Sequence, residues 1–195
     1  RCPPNPGSVT LVKNHKCYSG TRRQGNFCVG WAGNFWGERR GSFGRSGMVF
    51  NTNKLGESSI SLTEMGFGGA PLGGVGKRAS EDQAMEILRV AYESGIRYFD
   101  TAPLYGHGLS EKRIGKFLNT ISRDSFAIST KVGRLLVPKD EGQRDQMMHD
   151  DEALSIIYDY SYEGAKTSLE ASISRLGIDH VDLLLCHDID TVSYT

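Results

Sequence analysis

Asp100, Tyr105, Lys131 and His187 are the four side chains in this sequence whose types and placement could together move a proton. Asp100 and Tyr105 lie in FDTAPLYGHG (99–108), Lys131 closes STK (129–131), and His187 falls in LLLCHD (183–188), each after a short apolar run. A phenol, with a pKa of about 10, is a poor acid or base near neutrality unless a cation stabilises its phenolate. Lys131 can be that cation. An ammonium at the end of an apolar strand needs a counter-charge, which Asp100 can provide. His187 can donate a hydrogen bond to a substrate oxygen on which charge changes during reaction. Together the four describe a proton relay around one C–O group.

Each residue alone has a plainer reading. Asp100 can cap a turn, Tyr105 can pack on a loop rim, Lys131 can be solvated, and His187 can make a structural hydrogen bond. Their occurrence at three successive strand ends favours the relay.

The elements that must position them follow from local patterns. Two short runs, around Lys54-Leu55 and Ser59 to Leu62, predict a hairpin ahead of the main fold. Glu64 to Gly69 reads as a strand opening into a Gly-rich turn, GFGGAPLGG at 66–74. Ser80 with Gln83 predicts a capping box, Ala84, Ile87, Leu88, Ala91 and Tyr92 share one helical face, and Gly95 ends a helix over about 81–94. Ile96 to Phe99 is the next strand. Ser110 is expected to cap a second helix through Leu118, Phe126 to Thr130 to form a third strand, and Tyr162 to Leu176 a third helix with Gly177 as its stop. Val181 to Cys186 is a fourth strand, within which Cys186 reads as a small core residue. Near-continuous apolar strands alternating with helices argue for a parallel sheet covered by helices, in a doubly wound sheet or a (β/α)8 barrel. Chemistry at several strand ends favours the barrel.

Composition supports a globular core, with 38% apolar residues in 195. No run approaches the ~20 apolar residues of a membrane helix, and no signal peptide pattern opens the chain. Membrane and secreted classes are set aside and a cytoplasmic location is expected. The zero net charge hides two unlike pieces: residues 1–50 hold 8 Lys+Arg and one acid, residues 51–195 hold 15 and 22. Residues 1–47, Gly- and Arg-rich with isolated aromatics, predict a disordered basic leader. A nucleic-acid arm and an organelle transit peptide are weaker readings than upstream or non-native sequence, with the native protein starting at Met48. Cys2, Cys17 and Cys28 fit neither a CxxC metal site nor a redox pair.

Other motifs fall short. GFGGAPLGG lacks GxGxxG spacing and no P-loop occurs, so a Rossmann or P-loop nucleotide site is not expected. His107, His149 and His180 have no metal-ligand spacing, and HDDE at 149–152 reads as a solvated acidic loop. No metal is expected.

The runs MGFGGAPLGG, GIRYFDTAPLYGHGLSEKRIGKFL, FAISTKVGRLL and YDYSYEGAKTSLEASISRLGIDHVDLLLCHDID resemble the N-terminal half of an aldo-keto reductase over about residues 52–190. YDYSYEG and CHDID bring the resemblance nearest to the branch of D-threo-aldose (L-fucose), L-galactose and pyridoxal dehydrogenases. The resemblance implies a (β/α)8 TIM barrel with an N-terminal hairpin, represented here through about the fourth strand. It implies hydride transfer between NADP or NAD and an aldose or related carbonyl or alcohol, a small-molecule substrate. Tyr105 is then the general acid/base, Lys131 the cation that activates it, Asp100 the partner of Lys131, and His187 the residue orienting the substrate oxygen. Gly68, Gly69 and Ala70, with Asp100, would border the nicotinamide. The stretch from Gly133 to Ser161 would help form the substrate mouth. The segments holding the cofactor's pyrophosphate and adenosine are expected beyond Thr195, leaving two open sheet edges. A cofactor-sensing regulatory subunit on the same barrel and a nonfunctional fragment are the competing readings.

Overall fold

The computed structural model describes residues 10–12, 27–28, 50–74, 79–139 and 154–189. A short antiparallel hairpin comes first among residues 50–74, pairing β3 (Thr52–Lys54) with β4 (Ser61–Thr63) as the sequence predicts. Four strands then lie parallel in chain order: β5 (Met65–Gly68), β6 (Tyr98–Asp100), β7 (Ala127–Pro138) and β9 (Leu183–Cys186).

Three helices connect these strands. α1 (Glu81–Glu93) has the full capping box, Gln83 N–H donating to Ser80 Oγ and Ser80 N–H to the Gln83 side chain, with two acids in its first turn to suit the helix dipole. α3 (Tyr162–Leu176) starts on the Ser161 hydroxyl and ends at Gly177 in the left-handed conformation. α2 (Leu109–Leu118) departs from expectation. Its N-cap is Gly108, at φ 88°, and Ser110 lies inside the first turn. There the Ser110 hydroxyl donates to the Gly69 carbonyl at 2.8 Å and meets Thr101 Oγ1 at 2.9 Å, tying the β5 and β6 loops together.

Strand alternation separates packing from chemistry. Phe99 and Ile128, opposite each other in β6 and β7, are fully buried with Leu88, Ile114 and Leu118 of the helices. Each such side chain contributes about 2 kcal/mol of burial. Asp100, Ser129 and Lys131, at the alternate positions, share the other face. Across the helix layer, Glu111 is fully buried and accepts from Thr130 Oγ1 at 2.7 Å and Arg175 Nε at 2.6 Å, so one carboxylate joins α2, β7 and α3. Arg113 braces the first loop by donating to the carbonyls of Leu72 and Ala79 and to Glu81.

Three further expectations need correction. The third strand does not stop at Thr130: β7 runs twelve residues and folds back on β8 (Leu154–Asp159) as an antiparallel hairpin, because Val132 and residues 134–137 continue an extended pattern that pairs with SIIY. The stretch from Gly133 to Ser161 is thus partly a β-hairpin; the HDDE segment lies outside the described residues. Within the leader, where no regular structure is expected, β1 (Thr10–Val12) pairs in parallel with β9 and β2 (Phe27–Cys28) with β5. Both edges of the parallel array therefore have a strand beside them, because their unpaired backbone groups can accept a neighbour of any sequence. Cys186 is half-buried rather than enclosed in the core. No helix among the described residues is long and apolar enough to cross a membrane.

Candidate functional site

Asp100 ends β6, and its position is fixed from both sides. Gly68 lies opposite it in β5 and Ser129 opposite it in β7. Gly69 N–H donates to the Asp100 carbonyl at 2.7 Å, and the Ser129 hydroxyl donates to Asp100 Oδ1 at 2.6 Å. Ser129 also meets the Tyr98 hydroxyl at 2.9 Å. Lys131, two residues along β7 and therefore on the same face, donates from Nζ to Asp100 Oδ2 at 2.7 Å and to the Thr101 carbonyl at 2.9 Å. Its side chain is only 8% exposed. Burial opposes the ammonium charge, but the Asp100 carboxylate and Tyr105 outweigh it and hold the Lys131 pKa above the ordinary lysine value.

Tyr105 stands in the turn that follows β6. Lys131 Nζ lies 4.7 Å from its ring centroid, and the His187 ring meets it edge-on with centroids 5.8 Å apart. The turn is seated by backbone-to-backbone packing. A Cβ on Gly73 would fall 2.3 Å from the Tyr105 carbonyl carbon, and one on Gly106, at φ 65°, 2.2 Å from the Gly73 oxygen. Glycine is required at both places. The first Gly-rich turn thus acts as a mould for the second.

His187 follows β9, and its N–H donates to the Val132 carbonyl at 2.9 Å. Burial, followed by the charges of Lys131 and Arg134, pushes its pKa down to about 3. The imidazole is therefore neutral near pH 7, with one N–H to give. Its Nδ1 is buried without a hydrogen-bond partner among the described residues.

All four residues singled out from the sequence thus meet at one end of the parallel strands. Gly68 and Gly69 lie beside Asp100, and Ala70 opens a short 3-10 turn, Ala70–Gly73. Sequence reasoning missed Ser129, although STK places it two residues before Lys131 and so on the same strand face. It also missed the surround of His187. Tyr160 donates its hydroxyl to the His187 carbonyl at 2.5 Å, and Arg134 Nη2 donates to Asp188 Oδ2 at 2.5 Å. Tyr160 is far from His187 in sequence, and only the β7–β8 hairpin brings it close. His107, read as lacking metal-ligand spacing, is 1% exposed at φ 49°, and neither ring nitrogen has a hydrogen-bond partner among the described residues.

The arrangement places a phenol beside an ammonium, with a neutral imidazole edge-on to the phenol ring. It can shuttle a proton to or from one oxygen while the imidazole holds that oxygen.

Residues 64–194 match the model of the Aldo/keto reductase family. The chain is 42% identical over 136 residues to D-threo-aldose 1-dehydrogenase of Pseudomonas sp, covering 67% of this chain and 41% of that one. It is 37% identical over 150 residues to pyridoxal 4-dehydrogenase of Microbacterium luteolum, covering 72% and 44%. L-galactose dehydrogenase of Arabidopsis thaliana is 37% identical over 138 residues, with 70% and 37% covered. Among solved structures, a holo-form aldo-keto reductase from Bacillus halodurans aligns with a TM-score of 0.55 at 30% identity, over 71% of this chain and 40% of its own. The chain spans less than half the length of these relatives.

Proposed function

This chain belongs to the aldo/keto reductase family, and on that premise we propose that its parallel strands form one side of a (β/α)8 barrel carrying the proton-transfer machinery of an NAD(P)-dependent oxidoreductase. The reaction is reversible hydride transfer between the nicotinamide and the carbonyl or alcohol carbon of an aldose or a related compound. The observation that carries the reading is the position of Lys131 Nζ, bound to Asp100 Oδ2 at 2.7 Å and 4.7 Å from the Tyr105 ring centroid.

Tyr105 gives its phenolic proton to the substrate oxygen during reduction and takes it back during oxidation. Lys131 stabilises the phenolate left behind, and Asp100, oriented by Ser129, holds the ammonium in place. His187, uncharged, donates a hydrogen bond to the same oxygen and so favours the state in which negative charge develops there. The residues present fit a nicotinamide. A Cβ on Gly68 would meet nothing within 4 Å, so the backbone beside Asp100 is bare and open to a flat ring. Gly68, Gly69 and Ala70, with Asp100, would border that ring. When bound there, a nicotinamide would supply or accept the hydride.

The test is NAD(P)-linked oxidation of L-fucose, L-galactose and D-arabinose by the full-length protein. Tyr105→Phe should abolish turnover and leave cofactor binding largely intact. Full activity in that variant removes Tyr105 from its role. Tight NADPH binding with none of the sugars oxidised supports a cofactor-sensing subunit instead.

A further inference from the structure

A carboxylate with no part in the relay stands beside it. Asp188 follows His187 directly and adopts φ 46°, in the left-handed region that few residues other than glycine enter. Its carboxylate is 44% exposed, accepts from Arg134 Nη2 through Oδ2, and holds that same oxygen 3.7 Å from His187 Nε2. Arg134 is itself anchored, its side chain 12% exposed and its guanidinium carbon 5.3 Å from the Tyr158 ring centroid. The turn is clamped from the hairpin. Tyr160 bonds the His187 carbonyl, and its ring packs so closely on Gly133 that a Cβ there would fall 2.1 Å from it. Two aromatic residues of the hairpin and one strained turn therefore fix where a half-exposed carboxylate points.

We propose that Asp188, aimed by Arg134, is the side chain that recognises a hydroxyl on the carbon next to the reacting one, so that the site prefers α-hydroxy aldehydes and polyols to simple aldehydes and alcohols. The inference rests on His187 holding the reacting oxygen. At 3.7 Å, Asp188 Oδ2 and His187 Nε2 are too far apart to hydrogen-bond each other. They are close enough for oxygens on adjacent carbons of one substrate to reach one group each. The chemistry is complementary, since the imidazole donates to the reacting oxygen and the carboxylate accepts from the neighbouring hydroxyl. Arg134 balances the charge of Asp188, and the neutral imidazole makes no competing ion pair. A simple aldehyde gives the carboxylate no donor.

Glycolaldehyde and acetaldehyde differ by that hydroxyl alone. In NAD(P)H-linked reduction by the full-length protein, kcat/KM should favour glycolaldehyde, and Asp188→Ala should lower that ratio about 10-fold or more with acetaldehyde turnover nearly unchanged. Asp188→Asn, which keeps the shape and an acceptor oxygen, should fall between. A parallel fall on both aldehydes, or an unchanged ratio, means that Asp188 only anchors the hairpin and overturns the proposal. Calorimetric titration of L-galactose into the cofactor-saturated Tyr105→Phe protein gives a readout without turnover, in which adding Asp188→Ala should weaken binding about 10-fold. Equal affinity in the two proteins, or none in Tyr105→Phe alone, also overturns it. Acetaldehyde reduction that survives Tyr105→Phe would instead strike the underlying reading and leave the substrate ratio to judge Asp188.

Discussion

Lys131 and Asp100 are joined twice: the ammonium donates to the Asp100 carboxylate at 2.7 Å and to the carbonyl of the next residue, Thr101, at 2.9 Å. The second bond keeps the cation near the β6 turn even without the carboxylate. Asp100→Asn should therefore preserve the position of Lys131 while removing its counter-charge. Expected is a fall in kcat of about 10²-fold, within the span of general acid/base contributions, with little change in thermal midpoint. Steady-state kinetics on the full-length protein checks the first and thermal denaturation the second.

Ser129 acts on Asp100 through Oδ1. A hydrogen bond to a charged group is worth about 1.5–3 kcal/mol, less where water competes, as at the partly exposed Asp100. Ser129→Ala should lower kcat by roughly 10-fold and leave KM nearly unchanged, because the residue positions the relay without touching substrate. A change confined to KM would place Ser129 in substrate binding instead.

Glu111 is an ionisable group fully buried on the helix side of β7, opposite the relay face. Its two oxygens are taken by Thr130 and Arg175. Glu111→Ala leaves Arg175 without its partner and should cost about 3–5 kcal/mol of stability, measured by urea denaturation. Glu111→Gln should cost less. Kinetics of the surviving folded fraction should be close to the parent's, since the variant changes the scaffold only.

His187 makes stability depend on pH. Its folded pKa of about 3 lies below the ordinary value of 6.5, so the unfolded chain binds the extra proton first as acid is added. Stability from this residue is full above pH 6.5 and falls as pH drops toward 3, by about 1.4 kcal/mol per unit across that window. His187→Gln should flatten the slope of unfolding free energy between pH 6 and 4. An unchanged slope would assign the acid sensitivity to other groups.

Gly73 and Gly106 test the mould around Tyr105. Gly73→Ala must push the Tyr105 backbone away, since the contact is with main chain and no side chain can yield. Activity should drop at least 10-fold, and near-UV circular dichroism should report a changed tyrosine environment. Gly68→Ala, whose Cβ meets no protein atom, should leave the fold intact and weaken cofactor binding.

The parts of the fold written in short-range chemistry were readable before any coordinates. The Ser80–Gln83 capping box and the Gly95 and Gly177 stops depend on neighbours a few residues away, and each stands where expected; of the face expected on α1, Ala84, Leu88 and Ala91 are buried but Ile87 is 41% exposed, turned away from the sheet. The four relay residues were legible because strand ends converge in such a sheet. Ser110 misled because a serine ahead of a helix usually caps it, whereas here a glycine takes that position and the hydroxyl serves two loops. The β7–β8 hairpin was hidden for another reason. Its pairing joins segments separated by a polar stretch, and nothing local in either segment names the other. Tyr160 and Arg134 came into view only with that hairpin.

The length of β7 has a mechanical meaning. The strand that presents Lys131 to Asp100 goes on past Gly133, at φ 101°, to carry Arg134 and then one arm of the hairpin. Gly133 is a joint between two segments: up to Val132 the strand is laced to β9, and from Gly133 to Pro138 to β8. The ammonium and the hairpin thus share one chain segment but answer to different neighbours, and the glycine between them is the hinge pin across which either one is felt by the other.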